Sequence, residues 1–194
     1  KDSGVTIFYE HHVKNMRLVD VVVVSSAIPD NNPEIKFAKD EKIPIYKRSE
    51  MLNMVMELFP NRIAVAGSHG KTTTSAMTAV VLDHVGLRPS YMIGSDVLNF
   101  NHNANLGLGD SFVAEADESD GSFLCLKPNI GVVLNVDDDH LDYYQSMKNV
   151  ESHFKTFMDA VIQQNGVLVL NRDDQYLNRF LKRLPEGRFI DFGL

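Results

Sequence analysis

A lysine that follows glycine at the mouth of a helix can grip phosphate, and the run Ala66-Gly-Ser-His-Gly-Lys-Thr-Thr-Thr74 sets one there. Glycines let backbone N–H groups approach phosphate oxygens closely, and the helix N-terminus adds partial positive charge. In such a loop Lys71 reaches the β- and γ-phosphates, and the hydroxyl of Thr72 ligates Mg²⁺. The strict nucleotide-loop spacing asks for glycine at position 65, where this chain has valine. The shorter form Gly67-x-x-Gly70-Lys71-Thr72-Thr73 remains. A glycine-rich turn with an incidental lysine is the plain alternative. Context argues against it, because residues 63–66 read as a strand and 71–85 as an amphipathic helix.

Two acidic runs follow other apolar runs. Val113-Ala-Glu-Ala-Asp-Glu-Ser-Asp120 puts Glu115 at the C-terminal end of a strand, where an α/β sheet places its ligand. A carboxylate there can hold the Mg²⁺ that bridges nucleotide phosphates. A solvated, helix-capping acidic turn has the same composition, and composition does not choose between them. In Asn135-Val-Asp-Asp-Asp-His-Leu-Asp142, His140 reads as a metal ligand, a donor to phosphate, or a structural residue. The aspartates at 137–139 also suit a solvated capping turn.

Elements must carry these residues to one place. Apolar, β-rich runs at 5–8, 21–24, 43–46, 63–66, 90–94, 112–114, 130–136, 167–170 and 188–192 read as strands. The valines at 21–24 suit a strand buried on both faces. Helices are expected over 34–41, 50–59 capped by Ser49, 71–85, 146–164 and 174–184. In 71–85 the expected buried stripe is Ala76, Met77, Val80, Val81 and Val85, with Gly86 closing the helix. In 146–164 Met147, Val150, Phe154, Phe157 and Val161 recur at helical spacing. Residues 99–110 are polar and glycine-rich, hence a loop. Strands alternating with helices give an α/β fold of mostly parallel sheets with flanking helices. A phosphate-loop unit starting at Ile63 suggests a domain boundary near 47–61; one continuous sheet is the alternative.

Composition narrows the partners. Nineteen Lys and Arg against 26 Asp and Glu give a net charge of −7, which argues against nucleic acid or an anionic membrane as the main partner. The lone Cys125 makes no internal disulfide and, set among Phe123, Leu124 and Leu126, reads as core. A cytoplasmic protein with no membrane span is expected. The chain of 194 residues opens on Lys1 rather than Met and reads as a piece of something longer.

The three chemical runs together resemble the Mur ligases, the ATP-dependent amino-acid ligases of peptidoglycan synthesis. Gly67-Ser-His-Gly-Lys-Thr-Thr-Thr74, Ala114-Glu-Ala-Asp-Glu-Ser-Asp-Gly-Ser-Phe-Leu124 and Asp139-His-Leu-Asp-x-Tyr144 carry the likeness. Val22-Val-Val-Ser-Ser-Ala-Ile28, Asn32-Pro-Glu-Ile35, Ser49-Glu-Met-Leu52 and Asn103-Ala-x-x-Gly-x-Gly109 extend it over nearly the whole chain. Within the family the chain is similar to the branch that adds L-alanine to UDP-N-acetylmuramate through an acyl phosphate. The branch that attaches a recycled tripeptide normally has Tyr where Ser119 stands. A non-catalytic ATP-binding module is the alternative of another class.

The resemblance implies roles. Gly67, Ser68, His69, Gly70, Lys71, Thr72 and Thr73 would bind ATP. Lys71, Glu115 and His140 would be catalytic, with Thr72, Glu115 and His140 serving Mg²⁺. Ser25, Ser26, His69, Asn103 and Ala104 would face the UDP-sugar or the reaction centre. Ser68 stands where the family usually has Thr, and the aspartates at 137–139 replace Glu, a small residue or Pro, then Asp; neither change loses a proposed ligand. The implied layout is the end of a Rossmann-like UDP-binding domain at 1–48 and an incomplete ATP-binding central domain at 49–194. The C-terminal amino-acid-binding domain would be absent, so the 194 residues alone are expected to show little or no ligase activity.

Overall fold

The computed structural model describes residues 4–194, so the opening Lys-Asp-Ser lies outside it. The chain divides into two compact units, Lys1–Leu52 and Asn53–Leu194. In the first, strand β1 (Val22–Val24) pairs in parallel with β2 (Ile45–Lys47), and helix α1 (Pro33–Asp40) joins them. Asn32 caps α1 by accepting the Glu34 N–H, and Pro33 opens the first turn with its φ already set. Ile35 and Ala38 are the helix's buried face. Val23 is exposed rather than buried as expected, because among the described residues no layer covers its face of β1. Residues 5–8 form no strand and lie exposed. An apolar run needs a partner strand to pair with, and none among the described residues supplies one.

Helix α2 (Arg48–Met56) contains the division between units. It begins before Ser49, which is therefore inside the helix and not its cap. The second unit is a seven-stranded sheet in the order β5-β4-β6-β3-β7-β8-β9. Its strands are β3 (Asn61–Ala66), β4 (Ser90–Val97), β5 (His102–Asn105), β6 (Ser111–Glu115), β7 (Ile130–Val133), β8 (Val167–Asn171) and β9 (Phe189–Phe192). All neighbours are parallel except β4 and β5. Helices α3 (Lys71–His84), α4 (Leu141–Tyr144), α5 (Met147–Gln163) and α6 (Gln175–Leu181) complete it. No helix among the described residues is long and apolar enough to cross a membrane.

Buried apolar strands make the centre. Ala64, Val65 and Ala66 of β3 and Val113 and Ala114 of β6 are wholly covered. On α5, Val150, Phe154, Phe157, Met158 and Val161 are buried, and Phe123 packs its ring 5.4 Å from those of Phe154 and Phe157. Helix α3 differs from expectation. It meets the sheet through its small residues Ser75 and Ala79, with Ala76, Val80 and Leu82 at the flank. Met77, Val81 and Val85 of the expected stripe are exposed. A helix resting close on a sheet selects short side chains at the contact. Residues 99–110 are not all loop, because β5 adds an antiparallel edge strand through Met92 and Ala104. Cys125 is half-buried rather than core.

Candidate active site

Strand β3 lies between β6 and β7; the chain leaves β3 toward β4 on one side and leaves β7 toward β8 on the other, so connections diverge between these neighbouring strands. Beyond the carboxyl ends of such strands lies the crevice that α/β sheets use for ligands. Residues 67–70 leave β3 there and turn into α3. Gly67 has φ +143°, and a Cβ on it would lie 3.1 Å from the Leu134 Cβ and 3.2 Å from the Asn135 nitrogen. That approach is tight, and the φ is one that L side chains rarely adopt, so both favour glycine. Gly70 is the N-cap of α3 at φ +86°.

The loop is fastened from the segment after β7. The His69 N–H donates to Asn135 Oδ1 at 2.8 Å, and Asn135 Nδ2 donates back to the His69 carbonyl at 3.0 Å. The Ser68 N–H donates to the Asn135 carbonyl at 3.2 Å, and the Asp137 N–H donates to Ser68 Oγ at 2.9 Å. His69 itself is exposed, its Nε2 3.6 Å from Asp137.

Lys71 and Thr72 start α3 and face two carboxylates. Lys71 Nζ donates to the carbonyls of Gly67 at 2.8 Å and Ser68 at 3.3 Å, and to Glu118 Oε1 at 2.8 Å. Thr72 Oγ1 donates to Glu115 Oε1 at 2.8 Å, while Glu115 Oε2 accepts the Gly94 N–H at 2.7 Å. Glu118 is buried, and that burial pushes its carboxyl pKa up against the opposing pull of the Lys71 ammonium. Tyr144, also buried, donates its hydroxyl to the Glu118 carbonyl; burial and then the Glu118 charge push its pKa up. His140, at φ +54°, brings Nε2 to 3.8 Å from both Glu118 Oε1 and Asp139 Oδ2.

The second unit thus brings Gly67, Ser68, Gly70, Lys71, Thr72 and Glu115 together, with His140 beside Glu118. Thr73 is exposed in the first turn of α3. Asn103 and Ala104 are exposed on the edge strand β5, with β4 and β6 between it and β3. Ser25 and Ser26 belong to the first unit, exposed just after β1, where Ser25 Oγ accepts the Ala27 N–H. Two residues escaped the sequence reading of roles. Asn135 and Glu118 both stand inside quoted motifs, but nothing in residue type singles them out from neighbouring polar residues.

Two family descriptions match in tandem: the Mur ligase family catalytic domain over residues 1–60 and the Mur ligase middle domain over 65–194. The chain belongs to the Mur ligase family. Among curated Mur ligases it is 44% identical over 194 residues to the UDP-N-acetylmuramate–L-alanine ligase of Aquifex aeolicus, spanning all of this chain and 42% of that protein. The ligase of the same name from Lawsonia intracellularis is 46% identical over 190 residues, spanning 98% of this chain and 41% of its own length. The chain therefore spans about two fifths of these relatives. Of solved structures, the UDP-N-acetylmuramate-alanine ligase of Thermotoga maritima has a TM-score of 0.79 at 30% identity, over 98% of this chain and 42% of that one. The UDP-N-acetylmuramate:L-alanyl-gamma-D-glutamyl-meso-diaminopimelate ligase of Neisseria meningitides also has a TM-score of 0.79, at 25% identity, over 93% of this chain and 60% of that one. Equal TM-scores mean that the shared fold does not separate these two chemistries.

Proposed function

We propose that this chain forms the nucleotide-handling part of an ATP-dependent ligase that joins L-alanine to UDP-N-acetylmuramate in peptidoglycan synthesis. The observation that carries the reading is the pairing of a phosphate loop with Thr72 and Glu115, 2.8 Å apart at the open end of the sheet. Identity of 44% over the whole chain to alanine-adding relatives supports L-alanine over a tripeptide as the second substrate.

Thr72 and Glu115 offer hard oxygen donors, which suit Mg²⁺. Among the described residues no three His, Cys, Asp or Glu side chains gather into a cage. That fits an ion which keeps waters and phosphate oxygens in most of its positions. When bound, Mg²⁺ neutralises charge on the phosphates. His140 serves a second Mg²⁺ in this reading. Lys71 and the loop N–H groups hold the β- and γ-phosphates in line with the incoming carboxylate. An oxygen of that carboxylate attacks the γ-phosphorus; ADP leaves and an acyl phosphate forms. The amino group of L-alanine then attacks the acyl carbon. The tetrahedral intermediate collapses to amide and inorganic phosphate. No side-chain nucleophile is required. Ser25, Ser26, His69, Asn103 and Ala104 contact the UDP-sugar or the reaction centre in this proposal, and 1–48 and 49–194 are the UDP-sugar and ATP portions.

Phosphate release by the natural full-length protein tests it, with Mg·ATP and UDP-N-acetylmuramate present and either L-alanine or the tripeptide added. Release that depends on L-alanine is expected. Release only with the tripeptide would move the protein to the recycling branch. Release with neither would leave an ATP-binding module.

A further inference from the structure

The ammonium of lysine has three N–H bonds to donate. In this site all three are engaged by the protein: by the carbonyls of Gly67 and Ser68 and by Glu118 Oε1. None is left for a phosphate oxygen. Glu118 is equally dependent on Lys71. Its side chain is 2% exposed, so water does not solvate the carboxylate. Its Oε2 also lies 2.8 Å from the ammonium yet accepts no well-directed hydrogen bond. A buried carboxylate without a cation is costly, which makes this contact tight.

We propose that Glu118 is a positioning residue that latches Lys71, standing in for phosphate charge until a triphosphate takes the lysine from it. This rests on the phosphate-loop reading above. Glu118 belongs to the acidic segment after β6 and Lys71 to the start of α3, so the latch ties two of the site's segments together. His140 Nε2 lies 3.8 Å from Glu118 Oε1, at the edge of the same contact. The arrangement makes the loop grip conditional, because only a ligand with enough charge at the β- and γ-positions competes for the lysine.

Binding of ATP and of AMP to the natural full-length protein, measured by calorimetry, tests the latch. Glu118→Gln keeps the shape and an acceptor but removes the charge. ATP should then bind roughly tenfold more tightly, the scale of a lost charge-assisted bond, with AMP unchanged. In the Lys71→Met background Glu118→Gln should have no effect on ATP. Unchanged or weaker ATP binding by Glu118→Gln would overturn the latch. Equal tightening in the Lys71→Met background would also overturn it, as plain repulsion between carboxylate and phosphates. Should Glu118→Gln not fold, Glu118→Asp draws the charge back by one methylene and is expected to tighten ATP alone; no tightening would overturn the proposal. Wild type that binds neither nucleotide would remove the phosphate-loop reading and the latch with it, whereas Lys71-dependent ATP binding without a gain in Glu118→Gln would remove only the latch.

Discussion

Lys71 joins the chemistry and the stability of the site in one side chain. In the proposed reaction, its replacement by alanine removes a positioned donor from the transferring phosphoryl group, and turnover of the full-length protein should fall by about a hundredfold or more. The same change strands the Glu118 carboxylate in a buried setting. We expect the protein to remain folded but to lose on the order of 3 kcal/mol, read as a lower midpoint in thermal or urea unfolding. A Lys71→Ala protein with near-normal turnover would sink the phosphate-loop assignment. The meeting of Lys71, Thr72 and Glu115 was legible because a glycine-rich turn between strand and helix, and an acidic residue ending a neighbouring strand, fix where those side chains lie. Glu118 and Asn135 were not, because their roles come from partners 47 and 66 residues away in sequence. Composition carries no record of such a meeting.

At the level of elements, the loop at 67–70 keeps its shape through glycine geometry and one asparagine. Gly67→Ala should cost about 1–3 kcal/mol, since its φ is one that L side chains resist and the new methyl meets Leu134. Asn135→Ala removes the pair of bonds to the His69 backbone. ATP affinity should drop several-fold while ellipticity stays native, because α3 and the sheet do not depend on that side chain. In the first unit, burial would raise the Glu34 pKa, but bonds from His11, Asn15 and the His12 N–H hold it below the ordinary value of 4.5. A carboxyl depressed on folding stabilises above its unfolded pKa, and the gain is lost as pH falls through the folded one. Residues 10–15 should therefore loosen on acidification below pH 4.5, visible as faster amide exchange in that segment. Helix positions were readable from periodicity, as with the apolar spacing of α5, whereas Ser49, expected as a cap, lies inside α2. Strand β5 was not, because His102-Asn-Ala-Asn105 has neither alternation nor β-branched residues and gains its strand form from pairing with β4. The exposed Met77 and Val81 show the same limit: periodicity marks an apolar face, but the sheet beneath decides which residues reach it.

For the molecule as a whole, the α/β class followed from alternating strands and helices, whereas strand order did not. Crossovers in both directions put β3 at the centre, and nothing local to a strand specifies its neighbours. The layer of α5 on that sheet supplies much of the second unit's core. Phe157→Ala should destabilise by about 3–5 kcal/mol in chemical unfolding, since the ring is 1% exposed and packed against Phe123. In the proposed reaction this architecture directs the γ-phosphoryl group of ATP onto a substrate carboxylate. The most direct test is to label the carboxylate oxygens of UDP-N-acetylmuramate with oxygen-18 and run the L-alanine reaction on the full-length protein. An acyl phosphate predicts one labelled oxygen in each phosphate released. Release of unlabelled phosphate during amide formation would exclude an acyl phosphate on the route.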